Sequence, residues 1–246
     1  MRSKRFWKTC AVGMAMAFAL GSVAAAVNHP PDFKPADFVY PIANPNPFFP
    51  LVPGTTYFYE GESEGVPTTN ITEVTCSTLV IADVTTTVVR DRAFDENGNV
   101  IEDTFDYYAQ DKNGTVWYFG EDTTEFDPVT GDPISTEGTW REGVDDADAG
   151  FIMLASPQVG NRYYQEFAPG VAVDLARVTD LDGSACSPYT ACVDNLLVTK
   201  ETSQLDPGVV ENKYYKSGIG FIRGEIVKGG DEFTELVNIT TGNCGP

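Results

Sequence analysis

The chain has 246 residues, with 36 acidic side chains, 16 basic ones and a single histidine. Its formal net charge of −20 argues against a nucleic-acid backbone as partner and against docking on anionic lipid, because both need clustered Lys and Arg. His29 is the sole imidazole, so Ser-His-Asp and Cys-His catalysis lack their base, and His-liganded zinc or haem lacks its ligand.

The chain opens on a basic stretch carrying Arg2, Lys4, Arg5 and Lys8, then an apolar run from Ala11 to Leu20, then Ala24, Ala25 and Ala26. This order reads as a secretory signal peptide over 1–26, cleaved after Ala26. Removal of four basic residues and no acidic one leaves a mature charge of −24. Cys10 lies before the apolar run and is no lipobox cysteine, so a lipid anchor is not expected. No later run is apolar and long enough to span a bilayer, so the expectation is a secreted or periplasmic protein that is not integral to a membrane.

Residues 27–53 are rich in proline, as in NHPPDFKPADF and NPNPFFPLVPG. Prolines at this density forbid a helix or a central strand. The segment is expected to be an extended arm strapped to the domain by Phe33, Phe38, Phe48 and Phe49.

From Thr55 the pattern has period two, enriched in Thr, Val, Tyr and Phe. Predicted strands are Thr56–Glu62, Thr69–Cys76, Leu79–Ala82, Thr86–Phe94, Val100–Gln110 and Thr115–Glu121. Later ones are Ser135–Arg141, Arg162–Phe167, Ala172–Thr179, Val193–Glu201, Val210–Ser217, Gly220–Val227 and Phe233–Ile239. Short helices fit only at Asp145–Ala155 and Val171–Val178. Regularly spaced strands without intervening helices predict one all-β domain over 54–246, a mostly antiparallel, strongly curved sheet or half-open barrel.

Two similar turns, Asp95-Glu-Asn-Gly-Asn-Val100 and Asp111-Lys-Asn-Gly-Thr-Val116, make Thr86–Glu121 a three-stranded meander. Three-residue loops with Gly98 and Gly114 left-handed at a bulge place Val89, Ala93, Ile101, Phe105, Tyr107, Ala109, Trp117 and Phe119 on one face. That register also sets Asp91 directly opposite Asp103 on the apolar face, with Glu121 nearby. Opposed like charges are destabilising, so a cation, a shared proton or a distant base is required. Asp91, Asp103 and Glu121 are therefore the candidate metal ligands, with Ca²⁺ the cofactor their oxygens suit. The bland alternative is a solvated sheet edge. Tyr107, Trp117, Phe119 and Trp140 are the candidate ligand-binding aromatics. Trp140 precedes the acidic stretch REGVDDADAG and is expected in an exposed lid or binding loop.

Four cysteines follow the signal segment: Cys76, Cys186, Cys192 and Cys244. An even count in an exported chain reads as two disulfides, and Cys186–Cys192 with Cys76–Cys244 is the favoured pairing of three.

At FDYYAQDKNGTVWYFGEDT, TEGTW, SPQVGNRYYQEF and KYYKSGIGF the chain resembles an uncharacterised group of exported bacterial β-rich proteins. The resemblance covers about Pro47 to the C-terminus and brings no activity or catalytic residues with it. KYYKSGIGFIRGE is also similar, as a matter of fold alone, to the curved sheets of periplasmic lipoprotein carriers. Together these readings favour a non-enzymatic binding or structural module for a small apolar or amphipathic ligand, or for an exported partner protein. The alternatives are a calcium-stabilised cell-surface or matrix protein, and a hydrolase using paired carboxylates on polysaccharide.

Overall fold

The structure is a computed structural model and describes residues 29–244. The predicted signal segment lies outside the described residues. The arm contains one tight helical turn, Pro35–Asp37. Strands follow as β1 (Thr55–Ser63), β2 (Val66–Ile81), β3 (Val84–Phe94), β4 (Val100–Gln110) and β5 (Val116–Phe126). After these come β6 (Pro133–Ser135), β7 (Trp140–Arg141), β8 (Asp148–Met153), β9 (Arg162–Ala168) and β10 (Ala172–Ser187). The chain ends with β11 (Ala191–Ser203), β12 (Val210–Lys216), β13 (Gly220–Lys228) and β14 (Phe233–Thr241).

Twelve of these strands close into one antiparallel barrel in the order β4-β3-β2-β1-β14-β13-β12-β11-β10-β9-β8-β5, with β5 returning to β4. Closure completes the curved sheet expected from the sequence and removes the free edges it would otherwise present. The short β6 and β7 pair with β5 outside that circuit. The two helices read at Asp145–Ala155 and Val171–Val178 do not form; β8 and the start of β10 occupy those positions. Strand partners on both sides pair the backbone of each segment, β5 and β9 for β8, and β9 and β11 for β10.

The two repeated turns are built alike. The Asp95 carboxylate accepts from the backbone N–H groups of Asn97 and Asn99, and the Asp111 carboxylate does so from Asn113 and Thr115. Gly98 and Gly114 carry φ of 80° and 96°, the left-handed conformation expected of them. Both disulfides join the expected partners. Cys76–Cys244 ties β2 to the tail, and Cys186–Cys192 closes the β10–β11 hairpin.

The arm covers the barrel in two places. Phe33 and Phe38 pack edge-on against Trp117 and Phe119 on the outer wall, at ring separations of 5.1 to 5.9 Å. Further along, Phe48, Phe49 and Leu51 join the interior core with Tyr57, Tyr108, Tyr215 and Leu236. Asn46 anchors this turn. Its side-chain amide donates to the carbonyls of Gly114 and Leu154, and its Oδ1 accepts from Phe48 and Phe49. One end of the barrel is thus filled by apolar side chains. The β9–β10 turn, the β11–β12 loop and the β6–β7 segment bound an opening elsewhere.

Register corrects one central expectation. Phe94 pairs with Val100 as the three-residue loop requires, but a bulge follows and Ala93 pairs with Glu102. Ile101 is the extra residue. Beyond it Asp91 faces Thr104, while Asp103 pairs with Arg92 on the opposite side of the sheet. One inserted residue moves every later side chain of β4 to the other face relative to β3.

Candidate functional site

A second bulge shapes the interior. Tyr108 pairs with Tyr118 and Asp106 with Glu121, so β5 carries one residue more than β4 between them. Gly120 lies in this stretch with φ of 134°, and a Cβ there would stand 2.4 Å from the Trp140 carbonyl oxygen. The bulge leaves Trp117 and Phe119 on the outer wall and turns Tyr118, Glu121, Thr123 and Glu125 to the inside.

The inside at this level is an open cavity of about 610 Å³. Eleven carboxylates line it, against one lysine, Lys213, among the described residues. Eight of the eleven stand as four directly opposed cross-strand pairs. These are Glu102–Glu125 and Asp106–Glu121 on β4 and β5, Asp174–Glu166 on β10 and β9, and Glu201–Glu211 on β11 and β12. Like charges directly opposite destabilise a sheet, and a cavity wall concentrates their field.

The groups between two of these pairs define their chemistry. The Tyr118 hydroxyl touches both Asp106 Oδ1 and Glu121 Oε2, the latter at 2.8 Å. A phenol has one proton to donate, so it serves one carboxylate fully and leaves the second contact to a proton of the carboxyl itself or to another cation. Tyr118 stacks on Tyr108 at 4.6 Å and meets Trp140 edge-on at 5.3 Å. Burial, with the charges of Asp106 and Glu121, holds the Tyr118 hydroxyl well above its ordinary pKa, so it stays a donor. In the second pair, Lys213 Nζ lies 2.8 Å from Glu201 and 3.6 Å from Glu211.

Asp91 faces this lumen. Burial raises its carboxyl pKa, against hydrogen bonds from Asn70 and Thr72 that favour the charged form. Glu121 is close enough to add to the rise. Asp103 does not join them: it points to the outer face and takes a two-pronged contact from Arg90 at 2.6 and 2.8 Å. The expected trio is therefore split, with Asp91 and Glu121 inside and Asp103 outside. Among the described residues no group of three or more His, Cys, Asp or Glu side chains is arranged to hold a metal ion.

The expected aromatics are placed differently too. Tyr107, Trp117 and Phe119 lie in the outer cluster, where Phe33 and Phe38 cover Trp117 and Phe119, not in the lumen. Tyr107 donates to Asp122. Trp140 is no exposed lid: it is 5% exposed and packs in the interior core. Its indole N–H and the buried Tyr163 hydroxyl have no hydrogen-bond partner among the described residues. Burial raises the pKa of the Tyr163 hydroxyl, and the charge of Glu201 adds to the rise. Asp106, Glu166, Glu201, Glu211 and Lys213 were not singled out from the sequence. The alternation within VTKETS and VENKYYK was legible, but no local signal shows that these strands pair acid to acid across a lumen.

No family model matches the chain, and no curated protein matches it in sequence. Solved structures resemble it weakly. One is an exported-protein candidate of YmcC-like fold from Bacteroides fragilis, at 12% identity and a TM-score of 0.47, covering 79% of this chain and 99% of that one. Another is a lipoprotein candidate from Parabacteroides distasonis, at 14% identity and a TM-score of 0.43, covering 80% of this chain and 100% of that one. Among the described residues, no helix is long and apolar enough to cross a membrane.

Proposed function

We propose that the protein is an exported binding module whose barrel lumen takes a small organic oligocation, a flexible chain bearing several ammonium groups. The observation that carries this reading is the set of four opposed carboxylate pairs, all lining one cavity. Directly opposed like charges disfavour a sheet, and a positive charge brought into the lumen lowers that cost. A cavity of about 610 Å³ suits a ligand of that size. A wholly apolar ligand fits poorly, since it would strip water from the carboxylates without replacing it. An amphipathic cation fits better, because Val171 and Leu205 stand exposed at the opening.

The experiment is calorimetric titration of the mature chain with a linear tetraamine, a monoamine, a neutral diol of similar length and calcium chloride. Tightest binding by the tetraamine, weakened by salt and by Glu121→Gln, supports the reading. Equal binding of the neutral diol, or no binding by any amine, removes it. Binding of calcium alone would favour the calcium-stabilised alternative, through Asp91 and Glu121 without Asp103.

A further inference from the structure

The Glu201–Lys213–Glu211 cluster lies in the wall of the same lumen, and a role for it in ligand uptake rests on the oligocation reading. Glu201 and Glu211 are directly opposed on β11 and β12, and Lys213 sits two residues along β12. The cluster is lopsided. Glu201 has the closer ammonium contact, 2.8 Å, and its other oxygen accepts from the Thr199 hydroxyl at 2.8 Å, the Gln165 amide at 3.2 Å and the Tyr215 hydroxyl at 3.4 Å. Glu211 has the longer share of the same ammonium, at 3.6 Å. One positive charge faces two negative ones.

The fold makes room for the Glu211 carboxyl. On β13 the positions facing it are Ile226, its direct partner, and Gly224, the partner of Lys213. A Cβ on Gly224 would stand 2.5 Å from Glu211 Oε1 and 3.0 Å from the Phe221 ring. The charged groups acting on Glu211 are Glu201 from β11, Lys213 from its own strand and Glu232 from the β13–β14 connection; β13 contributes none at the facing positions.

We propose that uptake of an oligocation into the lumen expels a proton from Glu211, so that binding is proton-linked through this cluster. In the empty barrel Glu211 holds its proton as a neutral acid beside the Glu201–Lys213 ion pair. An arriving ammonium supplies the second positive charge, Glu211 ionises, and the proton leaves to solvent. Burial raises the Glu211 carboxyl to about 7, against the pull of Lys213 and with the push of Glu201, which places the exchange near neutrality. Linkage then requires cation affinity to rise with pH up to about 7 and to level off above it.

The test is calorimetric titration of the mature chain with spermine at pH 6.0 and pH 7.5, where the ligand keeps its four positive charges, each in two buffers of different ionisation enthalpy. The difference between buffers counts protons released per ligand. The expected result is a release approaching one proton at pH 6.0 and about a quarter of a proton at pH 7.5, with affinity several-fold higher at the upper pH. Glu211→Gln should bind spermine with no such release and a flat pH profile. The wild-type proton count decides the matter even where that variant folds poorly. Spermine binding without proton release at pH 6.0, or equal release from Glu211→Gln, overturns the linkage and leaves the oligocation reading standing. Absence of spermine binding at both pH values overturns both.

Discussion

Asp106 and Glu121 stand directly opposite each other on β4 and β5, and both contact the hydroxyl of Tyr118. The arrangement meets the requirement that the sequence placed on Asp91 and Asp103: opposed carboxylates need a proton or a cation between them. Tyr118→Phe removes the shared donor and leaves two buried acceptors facing each other. The expected loss is about 1–3 kcal/mol of stability, read as a lowered denaturant midpoint. Asp106→Asn in the same background should recover part of it, because an amide donates where the phenol did. A double-mutant cycle measures the coupling.

Gly120 is required by its bulge. Its φ of 134° lies outside what side-chain-bearing residues adopt, and a Cβ would collide with the Trp140 carbonyl. Gly120→Ala is expected to cost at least about 3 kcal/mol, from backbone strain and overpacking together. The same change at Gly98, where a Cβ meets open space, should cost less, since only its φ is strained. Thermal unfolding of the two variants side by side checks the difference.

Stability in the absence of ligand should fall as pH rises from about 4.5 to about 7. Glu211 holds its proton in the folded protein up to about 7, while in the unfolded chain it loses it near 4.5. Between those values the native state binds more protons than the unfolded one, so raising pH favours unfolding. Asp91, Glu142 and Glu232, also raised by burial, act in the same direction. Melting temperature measured across this window should decline in the wild type and decline less in Glu211→Gln.

The arm should contribute to stability at two separable points. Asn46→Ala strips hydrogen bonds from the carbonyls of Gly114 and Leu154 and from two backbone N–H groups, with an expected loss of about 2–4 kcal/mol. Phe38→Ala uncovers Trp117 and Phe119 on the outer wall instead. It should increase binding of a hydrophobic dye and shift tryptophan emission to the red, while spermine affinity stays at the wild-type value.

The two disulfides should differ in weight. Cys76–Cys244 closes a separation of 168 residues and Cys186–Cys192 one of 6. Loop-closure entropy gives about 5 kcal/mol for the first and about 2 kcal/mol for the second as upper limits. Replacing each pair with alanines and comparing unfolding midpoints tests the order.

Much of this molecule was legible from local pattern. Period-two alternation marked the strands, the two Asp-x-Asn-Gly turns fixed a meander, and the cysteine count indicated two disulfides, the favoured of three pairings being the one seen. The proline-rich arm announced itself through residues that cannot enter a sheet, with Phe33, Phe38, Phe48 and Phe49 as its anchors. What the sequence alone did not determine was which face is the inside. Two inserted residues decide that, Ile101 in β4 and the residue accommodated at Gly120 in β5. Each flips every side chain beyond it, and each is chosen by pairing around the closed barrel instead of by its neighbours in the chain. The usual sorting of apolar in and polar out also fails here for a tertiary reason. The arm buries the aromatic face of β4 and β5 on the outside, and the acidic face is left to line the lumen. Asp174 and Glu166 face each other across the short β9–β10 hairpin and Glu201 and Glu211 across β11–β12, and only the closed barrel brings both pairs to one lumen.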